Sequence, residues 1–157
     1  MTGRDGGADL HPIPGSPVVV LVRPQLADNI GAVARAMANG GLFHLRLVAP
    51  RDGWPQPAAW RNASGADRIL DSLTLHDSVA DAVADLHHVY ATCPRPRHII
   101  KPVLTARGSA AELRQVAARG LRSGILFGPE RAGLPRKPAI HQHEPRHRLD
   151  VIRHVQP

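Results

Sequence analysis

Three observations predict an α/β fold with a mostly parallel sheet. The run PVVVLV at residues 17–22 is continuously apolar and β-branched, which marks a strand covered on both faces. Stretches of helical periodicity alternate with such runs, the pattern of a layered α/β domain. Three unusual motifs, RPQLADN, ATCPRPR and FGPERAG, each begin where one of these runs ends.

Taken in order, the first strand occupies residues 17–22 and Arg23 with Pro24 ends it. Asp28 or Asn29 is placed to cap a helix running to Ala38. Ile30, Val33, Ala34 and Met37 form its apolar stripe, and Gly40 with Gly41 stop it. HLRLV, residues 44–48, is a second short strand, and residues 51–57 are a loop rich in Gly and Pro. A helix over 58–70 breaks near Ser64 and Gly65, and a short helix over 78–86 is capped by Asp77 or Ser78. HVYAT, residues 88–92, is the third main strand, followed by the long proline-punctuated loop CPRPRHIIKPVLT. Ser109 caps a helix over 109–119 with Glu112 at the capping-box position, and residues 124–127 form the fourth main strand.

At 157 residues, 43% hydrophobic and 21% charged, the chain has the bulk for one globular domain with a sizeable core. The expected division is a flexible lead-in over 1–16, a domain over 17–134 and a basic, disordered tail over 135–157. The start has no apolar signal core, and no run approaches the ~18 residues needed to span a membrane. Cys93 is the single cysteine, which excludes a disulfide framework and fits a reducing cytoplasm. The formal net charge is +7, and only Lys101 and Lys137 of the twenty basic residues are lysine. Nucleic acid is the first candidate partner for such a balance, through planar arginine contacts to phosphate. With 3% aromatic residues, charge and backbone would carry that contact rather than stacking.

In open parallel sheets the ligand crevice lies outside the carboxyl ends of the strands, where all three motifs fall. Each motif alone reads as turn chemistry or a solvated arginine; three at one edge point to a site. In NIGAVAR, Gly31 and Arg35 share a helix flank, so Arg35 leans back over Gly31 toward a helix N-terminus suited to anions. Gly128 permits close approach of backbone to a ligand, and Pro129 fixes the turn. Glu130 can accept from a ligand hydroxyl or pair with Arg131 or Arg35. Thr92 and Cys93 end a strand, and Arg95 and Arg97 sit on a stiff loop suited to phosphate. Cys93 has no partner that would make it a nucleophile and reads as a small strand-end residue. Neither GxGxxG nor a P-loop is present. His141, His143, Glu144 and His147 match no zinc spacing, and Pro145 breaks the helix that would gather them, so no metal is expected. The central expectation is that Arg35 meets the bend at Gly128 and Pro129.

Together these residues resemble the SpoU branch of the SPOUT RNA methyltransferases. RPQLADNIGAVARAM resembles the first family motif and GILFGPERAGL the second, in the family's order. VYATCPRPR with KPVLT, and LRLVAPRDGWP before them, are similar to the TrmJ type, which methylates a ribose 2′-hydroxyl in the tRNA anticodon loop. The resemblance covers roughly residues 17–134. It implies S-adenosylmethionine as methyl donor, RNA, and tRNA in particular, as substrate, a trefoil-knotted α/β fold and a homodimer that completes each site. It places Asn29 and Arg35 at the acceptor ribose and phosphate, with Glu130 holding the motif together or assisting Arg35. Thr92, Cys93, Pro94 and Gly128 fall on the donor side, and Arg23, Arg35, Arg95, Arg97 and Arg131 toward RNA. Arg35 does not serve as a base on this reading, because a guanidinium keeps its proton in proteins; it orients the acceptor and stabilises developing charge.

The family's third motif, an apolar strand, a Ser-Leu-Asn helix start and an apolar helix, has no counterpart in PRKPAIHQHEPRHRLDVIRHVQP. The expectation is therefore a tail of out-of-frame or unrelated residues without a useful strand, an incomplete knot, and weak or absent donor binding. Two rivals remain open: a non-catalytic RNA-binding relic of the family, and an unrelated flavodoxin-like nucleotide-binding or interaction domain.

Overall fold

Five consecutive buried aliphatic side chains, three of them valines in a row, make β1 (Val18–Val22) an interior strand. The structure is a computed structural model and describes residues 11–93, 103–129 and 148–153. In chain order β1 is followed by α1 (Ala27–Asn39), β2 (Leu45–Val48), α2 (Pro57–Ala63), α3 (Asp67–Ser72), β3 (Thr74–His76) and α4 (Val79–Val83). Then come β4 (His88–Cys93), β5 (Val103–Thr105), α5 (Ala106–Ala118), β6 (Ser123–Phe127) and β7 (Arg148–Arg153). The seven strands form one sheet in the order β3-β2-β1-β6-β4-β7-β5, and every neighbouring pair is parallel. The predicted α/β class with a mostly parallel sheet is therefore what the chain adopts.

Side-chain alternation along the strands divides the core in two. On one face Val19, Leu21, Leu45 and Leu47 pack with Ile30, Ala34 and Met37 of α1, and α2 and α3 close over them. On the other face Val18, Val20, Val22, Val89, Ala91 and Leu126 pack with Ala82, Val83 and Leu86. α1 buries the stripe its periodicity predicts, and Gly41 takes φ +68 just beyond its end. The break expected near Ser64 and Gly65 in the helical stretch 58–70 is present: α2 and α3 are separate helices, and Ser64 between them adopts a left-handed conformation.

The caps differ from expectation in two helices. The N-cap of α1 is Leu26, with no side-chain hydrogen bond; Asp28 lies in the first turn, where its charge complements the helix dipole. α5 begins three residues before the expected Ser109, because Thr105 is extended and its Oγ1 accepts from the Gly108 amide at 3.0 Å. Ser109 is buried within the helix and donates to the Ala106 carbonyl, while Glu112 accepts from the Tyr90 hydroxyl rather than completing a capping box. In α4 the expected Ser78 cap is present, accepting from the Asp81 amide at 3.1 Å.

Both ends of the predicted domain need correction. Residues 11–16, expected to be a flexible lead-in, are tied to the body. The Ile13 amide donates to the Gly41 carbonyl, and Gly15 lies so close to α5 that a Cβ there would fall 2.9 Å from Ala117 Cβ. At the other end, residues 148–153 of the expected disordered tail form β7. That strand pairs with all six residues of β4 and with all three of β5. The rest of the tail, residues 130–147 and 154–157, lies outside the described residues.

Candidate functional site

Because the sheet is parallel, its carboxyl ends share one rim. Leu21 of β1 stands opposite Phe127 of β6, Ala91 of β4 opposite Leu126, and Cys93 opposite Arg153 of β7. RPQLADN and the start of FGPERAG, which follow β1 and β6, and the start of ATCPRPR therefore do lie at a common edge. Thr92 is half-buried and its Oγ1 donates to the Leu126 carbonyl at 3.0 Å, locking β4 to β6 there. Beyond β6, Phe127 is 41% exposed, and Gly128 and Pro129 are half-buried. Arg23 leaves β1 with φ 51 and an exposed side chain, while its amide donates to the Val48 carbonyl at 2.8 Å. Pro94, Arg95, Arg97, Glu130 and Arg131 lie outside the described residues.

At this rim Phe127 presents an exposed ring beside Gly128, which carries no side chain. Of the residues expected on the donor side, Thr92, Cys93 and Gly128 lie among the described residues.

A second feature is an open groove of about 490 Å³ on the outer side of α1. α1 contributes Asp28, Asn29, Ala32, Arg35 and Asn39, and α2 contributes Asn62. Asn29, Ala32 and Arg35 recur every three residues and so share one helical face. Arg35 is exposed on this face. A guanidinium, a carboxylate and three carboxamides give the groove donors and acceptors without strong net charge.

Gly31 does not serve the role expected of it. It is buried at the crossing of α1 and α2, where a Cβ would overlap the Ala59 carbonyl oxygen and fall 3.1 Å from Asn62 Cβ. The missing side chain lets two helices touch; it does not make room for Arg35. Nor do Gly128 and Pro129 line the groove, whose walls are α1 and α2. The expected meeting of Arg35 with the bend at Gly128 and Pro129 is not found among the residues lining this groove, although Asp28 and Asn29 belong both to its wall and to the motif that follows β1.

Away from both, Asp85 joins β2 to the segment before β6. Arg46 places its guanidinium fork on Asp85 at 2.6 and 2.9 Å and also donates to the Ala82 carbonyl, while Arg122 reaches Asp85 at 2.7 Å. The Arg46 hydrogen bonds, reinforced by the charges of Arg46 and Arg122, hold the Asp85 carboxyl down to about 2 against the partial burial that opposes them. Two residues of the groove, Asn39 and Asn62, were not singled out in the sequence. Asn39 continues the face of Asn29 and Arg35 and was legible by spacing; Asn62 enters only through helix packing. Among the described residues no group of His, Cys, Asp or Glu could hold a metal ion, and His141, His143, Glu144 and His147 lie outside them.

Comparison with known proteins places these features in a family. Residues 16–150 match the SpoU rRNA Methylase family. The chain is 40% identical over 117 residues to the tRNA (cytidine/uridine/adenosine-2′-O-)-methyltransferase TrmJ of Pseudomonas aeruginosa, covering 74% of this chain and 45% of that protein. It spans about half the length of the curated relatives it matches. Among solved structures it is similar to TrmJ from Z. mobilis ZM4, at 49% identity and a TM-score of 0.79 over 90% of this chain and 60% of that one. It is also similar, at 27% identity and a TM-score of 0.62, to the protein of a structure on 2-OH methylation of C/U34 on tRNA, covering 88% of this chain and 79% of that one. A parallel α/β sheet with its motifs at one rim, matched over most of its length, makes this chain a member of the SpoU rRNA Methylase family.

Proposed function

We propose that this chain is the methyl-transfer domain of an RNA ribose 2′-O-methyltransferase that uses S-adenosylmethionine and acts on a tRNA anticodon loop. The observation that carries the reading is the groove in which Asn29 and Arg35 meet, on a chain of the SpoU family. Family membership implies a methyl donor; the sulfonium donor S-adenosylmethionine is the finer part of the proposal. The tRNA substrate is taken from relatives named for tRNA 2′-O-methylation. The net charge of +7, carried mostly by arginine, suits a phosphate-rich partner.

S-adenosylmethionine, when bound, supplies a methyl group activated for attack by its positive sulfur. Thr92, Cys93 and Gly128 would hold it at the rim, with Phe127 offering apolar surface. Asn29 and Arg35 would hold the acceptor ribose and its phosphate. As the 2′ oxygen gains the methyl group it loses its proton, to water or to a substrate phosphate, because the Arg35 guanidinium has no acceptor site. The fixed charge of Arg35 favours the oxygen as negative charge develops on it. Gly128 and Pro129 do not line the groove that holds Arg35, so on this reading a homodimer that seats one copy's rim against the other's groove completes the site. A cytoplasmic location follows from a tRNA substrate; among the described residues no helix is long and apolar enough to cross a membrane.

A second reading, an RNA-binding member without transfer, is favoured by one observation: residues 135–157 carry no Ser-Leu-Asn segment. Calorimetry with S-adenosylmethionine and tritiated methyl transfer to unmodified tRNA separate the two. Donor binding with transfer upholds the enzyme. Retention of tRNA without transfer upholds the second reading, and neither binding nor transfer overturns both.

A further inference from the structure

The groove on α1 has a second wall that the acceptor chemistry does not use. Asn29 and Arg35 lie on α1 itself, and Asn62 faces them from α2. Asn62 is placed there by the helix crossing: its Cβ sits against Gly31, one turn before Arg35 on α1. The wall is held firmly. Trp60 of α2 stacks on Trp54 with ring centroids 5.1 Å apart, and its indole N–H donates to Asp71 at 3.1 Å. Asn62 itself is exposed, so its carboxamide is presented on a fixed scaffold. The groove extends along α1 from Asn29 to Asn39, ten residues or ~15 Å of helix, longer than one acceptor ribose requires.

A carboxamide offers a donor and an acceptor side by side, the pattern that pairs with the edge of an unpaired base. It carries no charge, so it adds little to phosphate affinity and much to discrimination between bases. The geometry points to Asn62 as a base-reading residue. It hydrogen-bonds the edge of an unstacked base next to the acceptor nucleotide, while Arg35 holds the backbone. This inference rests on the RNA reading of the groove.

The test uses the full chain and fluorescence anisotropy with single-stranded RNA oligonucleotides, each of one base only, beside an unmodified tRNA transcript. Asn62→Ala keeps the Cβ that packs on Gly31, so a merely structural role predicts unchanged melting and unchanged binding. Base reading predicts unchanged melting, about tenfold weaker binding to the preferred RNA, and a narrower spread of affinities among the four oligonucleotides. Asn62→Asp, which loses the donor and adds a negative charge, should weaken binding further. If the wild-type chain binds RNA and Asn62→Ala preserves both affinity and base preference, the inference is wrong while the RNA reading stands. If the wild-type chain retains no RNA, both fall.

Discussion

Gly31 of α1 and Ala59 of α2 meet backbone to backbone, with no space for even a methyl group between them. A Cβ at Gly31 would overlap the Ala59 carbonyl oxygen and lie 2.9 Å from its carbonyl carbon. Neither atom can rotate away, so a substitution must push the helices apart. Gly31→Ala should therefore destabilise the chain by about 2 kcal/mol, even though alanine is the better helix former. Urea unfolding measures it; a midpoint equal to or above the wild type would show that the crossing yields.

The Arg46–Asp85–Arg122 cluster makes a pH prediction. The Asp85 carboxyl is held at about 2, below its ordinary 3.8, by the hydrogen bonds of Arg46 first and then by the two guanidinium charges. A depressed carboxylate contributes stability above its unfolded value and loses it on acidification, so the contribution is complete above about pH 4 and fades toward pH 2. Asp85 is 38% exposed, so solvent screening reduces its worth to about 1 kcal/mol. Asp85→Asn should lower stability by that amount at pH 7 and by nearly nothing at pH 2. Parallel unfolding curves at both pH values check it, and an equal loss at each would assign the effect to packing.

Much of the fold was legible because periodicity reports burial. β1, β4 and β6 are apolar runs inside a parallel sheet, and α1 carries a clean stripe. β3 was missed because Thr74–His76 is a three-residue edge strand with two exposed side chains, too short to show a pattern. β7 was missed because RLDVIR carries two arginines and an aspartate, so composition argued for solvent, while its place between β4 and β5 depends on backbone pairing. In the site, Arg35 was singled out by its spacing from Gly31, and Asn29 by the family resemblance. Gly31 was misread because the partner helix that explains it lies about 30 residues away in the chain, and Asn62 was missed for the same reason.

The cap of α5 separates two residues that look equivalent in sequence. Thr105 Oγ1 accepts from the Gly108 amide, whereas Ser109 donates to a carbonyl already inside the helix. Thr105→Ala should cost about 1 kcal/mol, and Ser109→Ala should cost less, since the Ala106 carbonyl has other helical partners. Thermal melting of the two variants under one condition ranks them. A larger loss for Ser109→Ala would reverse the assignment.

For the proposed chemistry, Arg35→Ala and Arg35→Lys distinguish charge from geometry. Arg35 is exposed, so both should melt as the wild type does. Arg35→Ala should reduce kcat for methyl transfer by about 100-fold or more. Arg35→Lys should recover only part of it, because a lysine keeps the charge and loses the planar fork. Full recovery by lysine would mean that the charge alone suffices and that the fork positions nothing.

β7 decides whether the last part of the chain belongs to the domain. Val151 pairs with Ala91 of β4 on one side and Val103 of β5 on the other, so its residue position lies in the interior of the sheet. Proline there removes a ladder donor and fixes φ away from the strand value, a change that interior strands do not accommodate. Val151→Pro should lose about 3 kcal/mol or more and expose β5, which among the described residues pairs with the sheet only through β7, to protease. The same substitution in a detached tail would leave melting and proteolysis unchanged. Limited proteolysis with mass spectrometry, run beside thermal melting, therefore tests the strand, and the position of the first cleavage shows whether β5 depends on it.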